Sequence, residues 1–105
     1  MFIELNLEDV DGFDWDEANI KKNELKHNIY FKECEQVFLN DPLYLKDERH
    51  SKTEKRYICI GKTELKRMLF ISFTMRNLKV RVISARPADR KERKIYEKAK
   101  KTSNF

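Results

Sequence analysis

Read at the two-residue period of a β-strand, Met68 to Met75 is apolar on both faces. Leu69, Ile71, Phe73 and Met75 fall on one side, Met68 and Phe70 on the other. Such a strand belongs at the centre of a sheet, and Phe70, Ile71 and Phe73 are read as core. Its expected partners are Arg56–Gly61, rich in Ile and Tyr, and Lys79–Ser84, which alternates charged and apolar residues through Arg81 and Val82. A turn over 62–66 separates the first two of these strands. Leu43–Lys46 supplies a shorter fourth strand, followed by a charged loop from Asp47 to Glu54.

Two helices precede the sheet. The first is predicted over 16–27, with Asp14 or Asp16 accepting from its free N–H groups and Glu17 at its positive end. Lys21, Lys22, Lys26 and His27 collect in its last half, where cations complement the helix dipole, and Asn28 suits a left-handed cap. The second helix is predicted over 31–39, with Phe31, Cys34, Val37 and Phe38 on one face, and Asn40-Asp41-Pro42 ends it. Pro87 is placed in the first turn of a last helix reaching about residue 100, with 101–105 as a frayed tail. Phe2, Ile3, Leu5, Leu7 and Val10 make residues 1–12 an N-terminal extension or an edge strand.

The expected fold class is therefore α+β, in one small domain spanning 1–105. It has two N-terminal helices, an antiparallel three- to four-stranded sheet and a C-terminal helix. The helices are expected on one face, with the other open to solvent or a ligand. A chain of 105 residues has no room for two lobes with a cleft between them, so a site must lie on an open face.

Charge narrows the function. The 23 Lys and Arg outnumber 18 Asp and Glu, and the excess is uneven: the first 17 residues carry acids and no Lys or Arg, while basic residues dominate from Lys52 onward. That asymmetry suits a polyanionic partner, although a charge of this size taken alone favours plain solubility. Cys34 and Cys59 have no metal-ligand spacing and sit in apolar segments, as buried thiols of a reduced compartment do. No apolar run reaches membrane-spanning length and no signal-peptide pattern opens the chain, so a cytoplasmic protein without a membrane partner is expected. Two His and two Cys without paired spacing argue against a metal site. With Gly12 and Gly61 alone, there is no glycine loop for phosphates, and no cofactor is expected.

The groups left for chemistry are histidines and arginines. His27, at a helix C-terminus, can transfer a proton near neutral pH or cap that helix. His50 lies in the polar loop and ranks second. Arg56, Arg67, Arg81 and Arg86 punctuate the strands, and the planar guanidinium fork can hold two phosphate oxygens. Arg86, beside the last helix, can share an anion with its free N–H groups, and Arg90, Lys91, Arg93 and Lys94 add positive potential. Trp15 can stack on a base or cover the core, and the core role is preferred.

Three segments carry a family resemblance. Trp15-Asp16 followed by Asn23-x-x-Lys26-His27 and Phe31-x-Glu33, the run Asp47-Glu48-Arg49-His50-Ser51, and Lys79 to Arg86 ending in Ser84-Ala85-Arg86 resemble the BrnT family of small bacterial ribonuclease toxins. The likeness extends from about Phe13 to Tyr96. It departs from the family at Asn19, where a lysine is usual, and at Asn28, where a glycine is usual. The resemblance implies a RelE-like microbial ribonuclease fold and an endoribonuclease toxin of a type II toxin–antitoxin system. RNA would be the substrate, a BrnA-like ribbon-helix-helix antitoxin the partner, and operator DNA would be met only through that antitoxin. On this reading cleavage is metal-independent, with His27, Arg67 and Arg86 catalytic and Lys22, Lys26, Arg56, Arg81 and Arg90 binding RNA. The competing reading is a non-catalytic basic module of the same fold that binds protein or nucleic acid.

Overall fold

The computed structural model describes residues 2–3, 10–50 and 53–103. The elements are β1 (Phe2–Ile3), α1 (Glu17–His27), α2 (Phe31–Leu39), β2 (Leu43–Asp47), a 3-10 turn (Glu48–His50), β3 (Arg56–Lys62), β4 (Met68–Arg76), β5 (Lys79–Pro87) and α3 (Arg90–Ser103). The five strands lie in chain order, antiparallel throughout, with β4 inside the sheet as its two apolar faces require. Phe2 and Ile3 pair with Leu45 and Tyr44, which makes β1 an edge strand; Leu5 and Leu7 fall outside the described residues. At the other edge, Phe13 bridges Val80 in parallel, and the Asp11 and Asp14 N–H groups donate to the Leu78 and Val80 carbonyls. The edge of β5 is thereby covered over part of its length, which removes a site for unwanted strand pairing.

Local signals set the helices. Asp16 is the N-cap of α1, its Oδ1 accepting from the Ala18 N–H at 2.8 Å, and Asn28 closes the helix in the left-handed region at φ 52°. In α2 the Glu33 side chain reaches back to the Tyr30 N–H at 3.1 Å. Val37, Cys34 and Phe38 of α2, with Ile29, bury against Tyr44, Cys59, Leu69, Ile71, Phe73, Val80, Val82 and Ala85. Phe38 meets the Phe13 and Phe73 rings edge-on at 5.4 and 5.0 Å between centroids. Trp15 covers one margin of this core, donating from Nε1 to Glu35 at 2.8 Å and packing edge-on against Phe31. The Cys34 thiol is pushed up to about 12 and the Cys59 thiol well above its ordinary value, in both cases chiefly by burial, so neither forms a ready thiolate.

The expectation that all helices share one face is corrected. Ile60 alternates with Cys59 along β3, so the two point to opposite faces, yet both are fully buried. What covers Ile60 is α3: Tyr96 is buried, the Lys62 ammonium lies 6.0 Å from its ring centre, and α3 packs against β2 and β3. The few apolar residues of α3 suffice because they meet only the β2–β3 part of that face. Pro87 ends β5 rather than opening α3, and the helix continues through residues 101–103, where fraying was expected. The rest of this second face stays open, and Phe70 belongs to it. Half-buried rather than core, Phe70 pairs in register with Ile60 and Arg86.

One irregularity decides what that open face presents. In the β4–β5 ladder Ser72 pairs with Ser84, but Phe73 pairs with Val82, leaving Ile83 as an extra residue. Val80 and Val82 point into the core before this bulge and Ala85 after it. Without the extra residue Arg86 would share the parity of Val82 and be driven into the core. The bulge turns it outward.

At Gly61 a β-carbon would sit 2.8 Å from Pro42 Cβ and 3.0 Å from Val37 Cγ1. Gly61→Ala is therefore expected to lower stability by about 1–3 kcal/mol through overpacking between α2 and β3. A urea midpoint equal to the parent's would contradict this close approach.

Candidate active site

Beyond the bulge, the open face forms a groove of about 540 Å³. Asp47, Arg49 and His50 line it from the end of β2 and the 3-10 turn, and Arg56 and Ile58 from β3. Phe70 and Ser72 of β4 form its floor with Ile83, Ser84 and Arg86 of β5. The Arg86 guanidinium stacks over the Phe70 ring at 4.2 Å from its centroid. Its Nη1 and Nη2 donate to the two carboxylate oxygens of Glu92 at 2.7 Å each. Glu92 is itself fixed: its Oε1 accepts from the Asp89 N–H at 2.9 Å, and Asp89 Oδ1 accepts from the Glu92 N–H at 2.8 Å. This reciprocal cap starts α3 and holds Arg86 in one place, and the Glu92 hydrogen bonds raise the Arg86 pKa above its ordinary value.

On the opposite wall, Asp47 and His50 are paired. The His50 Nδ1 lies 3.0 Å from Asp47 Oδ2 and 3.2 Å from Oδ1, and the His50 backbone N–H donates to Oδ1 at 3.3 Å. With Nδ1–H donating to the carboxylate, Nε2 is the nitrogen left to exchange a proton. Among the described residues Nε2 has no hydrogen-bond partner. The groove thus joins an oriented imidazole to the Arg49, Arg56 and Arg86 cations.

The expected catalytic trio divides between two places. Arg86 lines the groove. Arg67 lines a different hollow with Glu24, Asn28, Tyr30, Glu33 and Leu65, where its guanidinium donates to the His27 and Asn28 carbonyls at 2.7 and 2.9 Å. It thereby satisfies carbonyls left free at the end of α1. His27 meets Arg67 through its main chain, and its half-buried imidazole has no hydrogen bond among the described residues.

The expected RNA-binding residues are also dispersed. Arg56 lines the groove, Lys26 is exposed on the last turn of α1, and Arg90 is exposed as the first residue of α3. Arg81 lies 3.3 Å from Asp16 and 3.7 Å from Asp14. Lys22 donates to the Ile83 carbonyl at 3.1 Å.

That last contact belongs to a set. Asn19 Nδ2 donates to the Val82 carbonyl at 3.2 Å, and the buried Asn23 accepts the Ala85 N–H on Oδ1 at 3.2 Å. Three polar side chains of α1 therefore bracket the bulge. They satisfy main-chain groups on the outer edge of β5, which has no strand beside it there.

Sequence reasoning ranked His50 second and passed over Asp47, Glu92, Phe70, Ser72 and Ser84. The three-residue spacings Asp47–His50 and Asp89–Glu92 were the available signals, since that spacing suits local capping pairs.

The fold has a known counterpart. The structure superposes on the crystal structure of the BrnT ribonuclease toxin of Brucella abortus with a TM-score of 0.58, over 75% of this chain and 97% of that one, at 22% identity. At that identity the likeness is one of fold. No curated protein matches the chain. Residues 15–92 match the family model of the BrnT ribonuclease toxins of type II toxin–antitoxin systems. The chain belongs to the BrnT family.

Its class is accordingly that of an endoribonuclease toxin, with RNA as substrate and an antitoxin as partner. The match spans Trp15 at one end and Glu92 at the other, so it includes α1, the bulge and the carboxylate on Arg86. Asn19, where the resemblance expects lysine, still serves β5 through its amide.

Asn23→Ala removes the acceptor of a buried N–H, which costs about 1–3 kcal/mol. Hydrogen exchange at residues 82–86 should accelerate more than elsewhere in the sheet. Exchange at β5 rising no more than at β3 would show that the bulge holds without α1.

Proposed function

We propose that this BrnT toxin cleaves RNA by metal-independent transphosphorylation in the groove, with His50 transferring the proton and Arg56 and Arg86 on the phosphate. The observation that carries this is the meeting of the Asp47-held His50 with Arg86 across one groove floor. In this reaction the RNA 2′-hydroxyl attacks the adjacent phosphorus and loses its proton to a base. The 5′-oxygen leaves with a proton, so the products are a 2′,3′-cyclic phosphate and a 5′-hydroxyl. His50 Nε2 is the group that accepts or returns a proton, and Asp47 stabilises the imidazolium formed between. Negative charge building on the phosphoryl oxygens is met by Arg86 and Arg56. Because the Phe70 ring and Glu92 already fix Arg86, its reorganisation during the reaction is small.

His27 and Arg67 form the alternative centre at the end of α1, and Lys22, Lys26, Arg81 and Arg90 guide RNA toward the groove. We assign the protein to the cytoplasm as a single toxin domain. A BrnA-like ribbon-helix-helix antitoxin neutralises it, and operator DNA is reached only through that antitoxin. No helix among the described residues is long and apolar enough to cross a membrane.

Purified protein incubated with RNA in EDTA should yield cyclic-phosphate ends. His50→Ala and Arg86→Ala should each slow cleavage by about 10²-fold or more, the range of one positioned acid–base or charge-stabilising group. His27→Ala should stay near the parent rate. Loss in His27→Ala with His50→Ala active would move proton transfer to the end of α1. Intact RNA at high protein concentration would favour the non-catalytic module, and rescue of cleavage by divalent metal alone would overturn the metal-free chemistry.

A further inference from the structure

The helix that supplies Glu92 carries far more charge than its packing uses. From the rim of the groove at Arg86, α3 crosses the second face toward β2, where Lys100 Nζ lies 3.0 Å from Asp41. Glu92, Ile95, Tyr96 and Ala99 turn toward the sheet. Arg90, Lys91, Arg93, Lys94 and Lys101 are all exposed, and within α3 Glu97 is the one exposed acid among the described residues. None of these five cations is in an ion pair with a described residue. Arg90 and Lys94, four residues apart, repel one another on the helix surface, as do Lys91 and Lys94, three apart. Docking α3 to the sheet does not require this, and a mixed-charge face would be more stable.

Two features choose the occupant. Among the described residues the exposed large apolar side chains are Leu25, Tyr30, Leu39, Leu65 and Leu78, and none lies on α3. A protein interface needs an apolar centre and is depleted in lysine, whereas a nucleic-acid backbone is held by cations alone. The charged face is also continuous with the groove, because Glu92 of the same helix grips Arg86. A helix of 14 residues extends about 21 Å, room for several phosphates of one strand.

We infer that the exposed face of α3 is a track for single-stranded RNA beyond the nucleotides held in the groove, with Lys91, Arg93, Lys94 and Lys101 on its phosphates. The inference rests on the reading that the groove holds the cleaved nucleotides. It makes the toxin's footprint longer than its cleavage site. RNA segments that cannot lie along α3 are bound weakly whatever sequence they offer to the groove.

The test compares a tetranucleotide with a dodecanucleotide, both 2′-O-methylated so that binding is read without cleavage. The parent should bind the longer RNA more tightly and with a steeper dependence on salt. Replacing Lys91, Arg93, Lys94 and Lys101 with Gln should lower the log–log salt slope for the dodecanucleotide by about 3, at about 0.7 per phosphate contact on a single strand. Tetranucleotide affinity, and cleavage of the unmethylated tetranucleotide, should not change. Glu97→Lys tests the same face by gain, and should steepen the slope by about 0.7. An unchanged slope in both variants overturns the track. So does a loss confined to antitoxin affinity, which would give α3 to an acidic protein surface. Failure of the parent to cleave either unmethylated RNA counts against the groove and leaves the salt slope readable.

Discussion

The site depends on one extra residue in β5. A strand fixes its side chains at a period of two, so a core strand that buries Val80 and Val82 cannot also turn Arg86 to solvent unless the count is broken between them. Ile83 breaks it. The outer edge of β5 has no strand beside the bulge, and there Asn19, Lys22 and Asn23 of α1 bond its main chain on either side of Ile83. The N-terminal helix therefore acts on the far face of the sheet without reaching it. Its polar side chains hold the backbone geometry that sends Arg86 outward.

Once outside, Arg86 is held from three sides: the Phe70 ring below, Glu92 at both terminal nitrogens, and the Pro87 carbonyl at 3.3 Å. Glu92 also belongs to the cap that starts α3, so the placing of Arg86 and the attachment of the C-terminal helix share one carboxylate. A second helix on the open face thus has two effects. It covers Ile60 beneath β2 and β3, and it leaves the remaining strip as a groove with fixed cations at its rim. Across that groove, the tight turn after β2 places His50 back on the carboxylate of Asp47.

Local signals were the readable part of the sequence. Helix α2 lies where its apolar spacing put it, Asn28 adopts the left-handed cap, and β4 is central because both its faces are apolar. What the sequence could not convey were relations across the sheet. Ile83 is apolar and suits either face, so nothing in the alternation marked a bulge. Phe70 has the composition of a core residue, and only the path of α3 shows that an arginine rather than another apolar side chain lies over it. Arg67 and Arg86 read alike as strand-end arginines, yet one caps α1 and the other faces the groove. The family resemblance, carried by short motifs, survived these errors because the motifs mark elements rather than their mutual arrangement.

The central claim is that the groove behind the bulge, not the end of α1, receives the scissile phosphate. It is tested most directly by titrating isotope-labelled protein with a short 2′-deoxy-substituted RNA while following amide, arginine and imidazole resonances. The account predicts the largest shifts at Arg86, His50, Ser72 and Ser84, with Arg86 still held by Glu92. Shifts concentrated at His27, Asn28 and Arg67, with Arg86 unmoved, would contradict it.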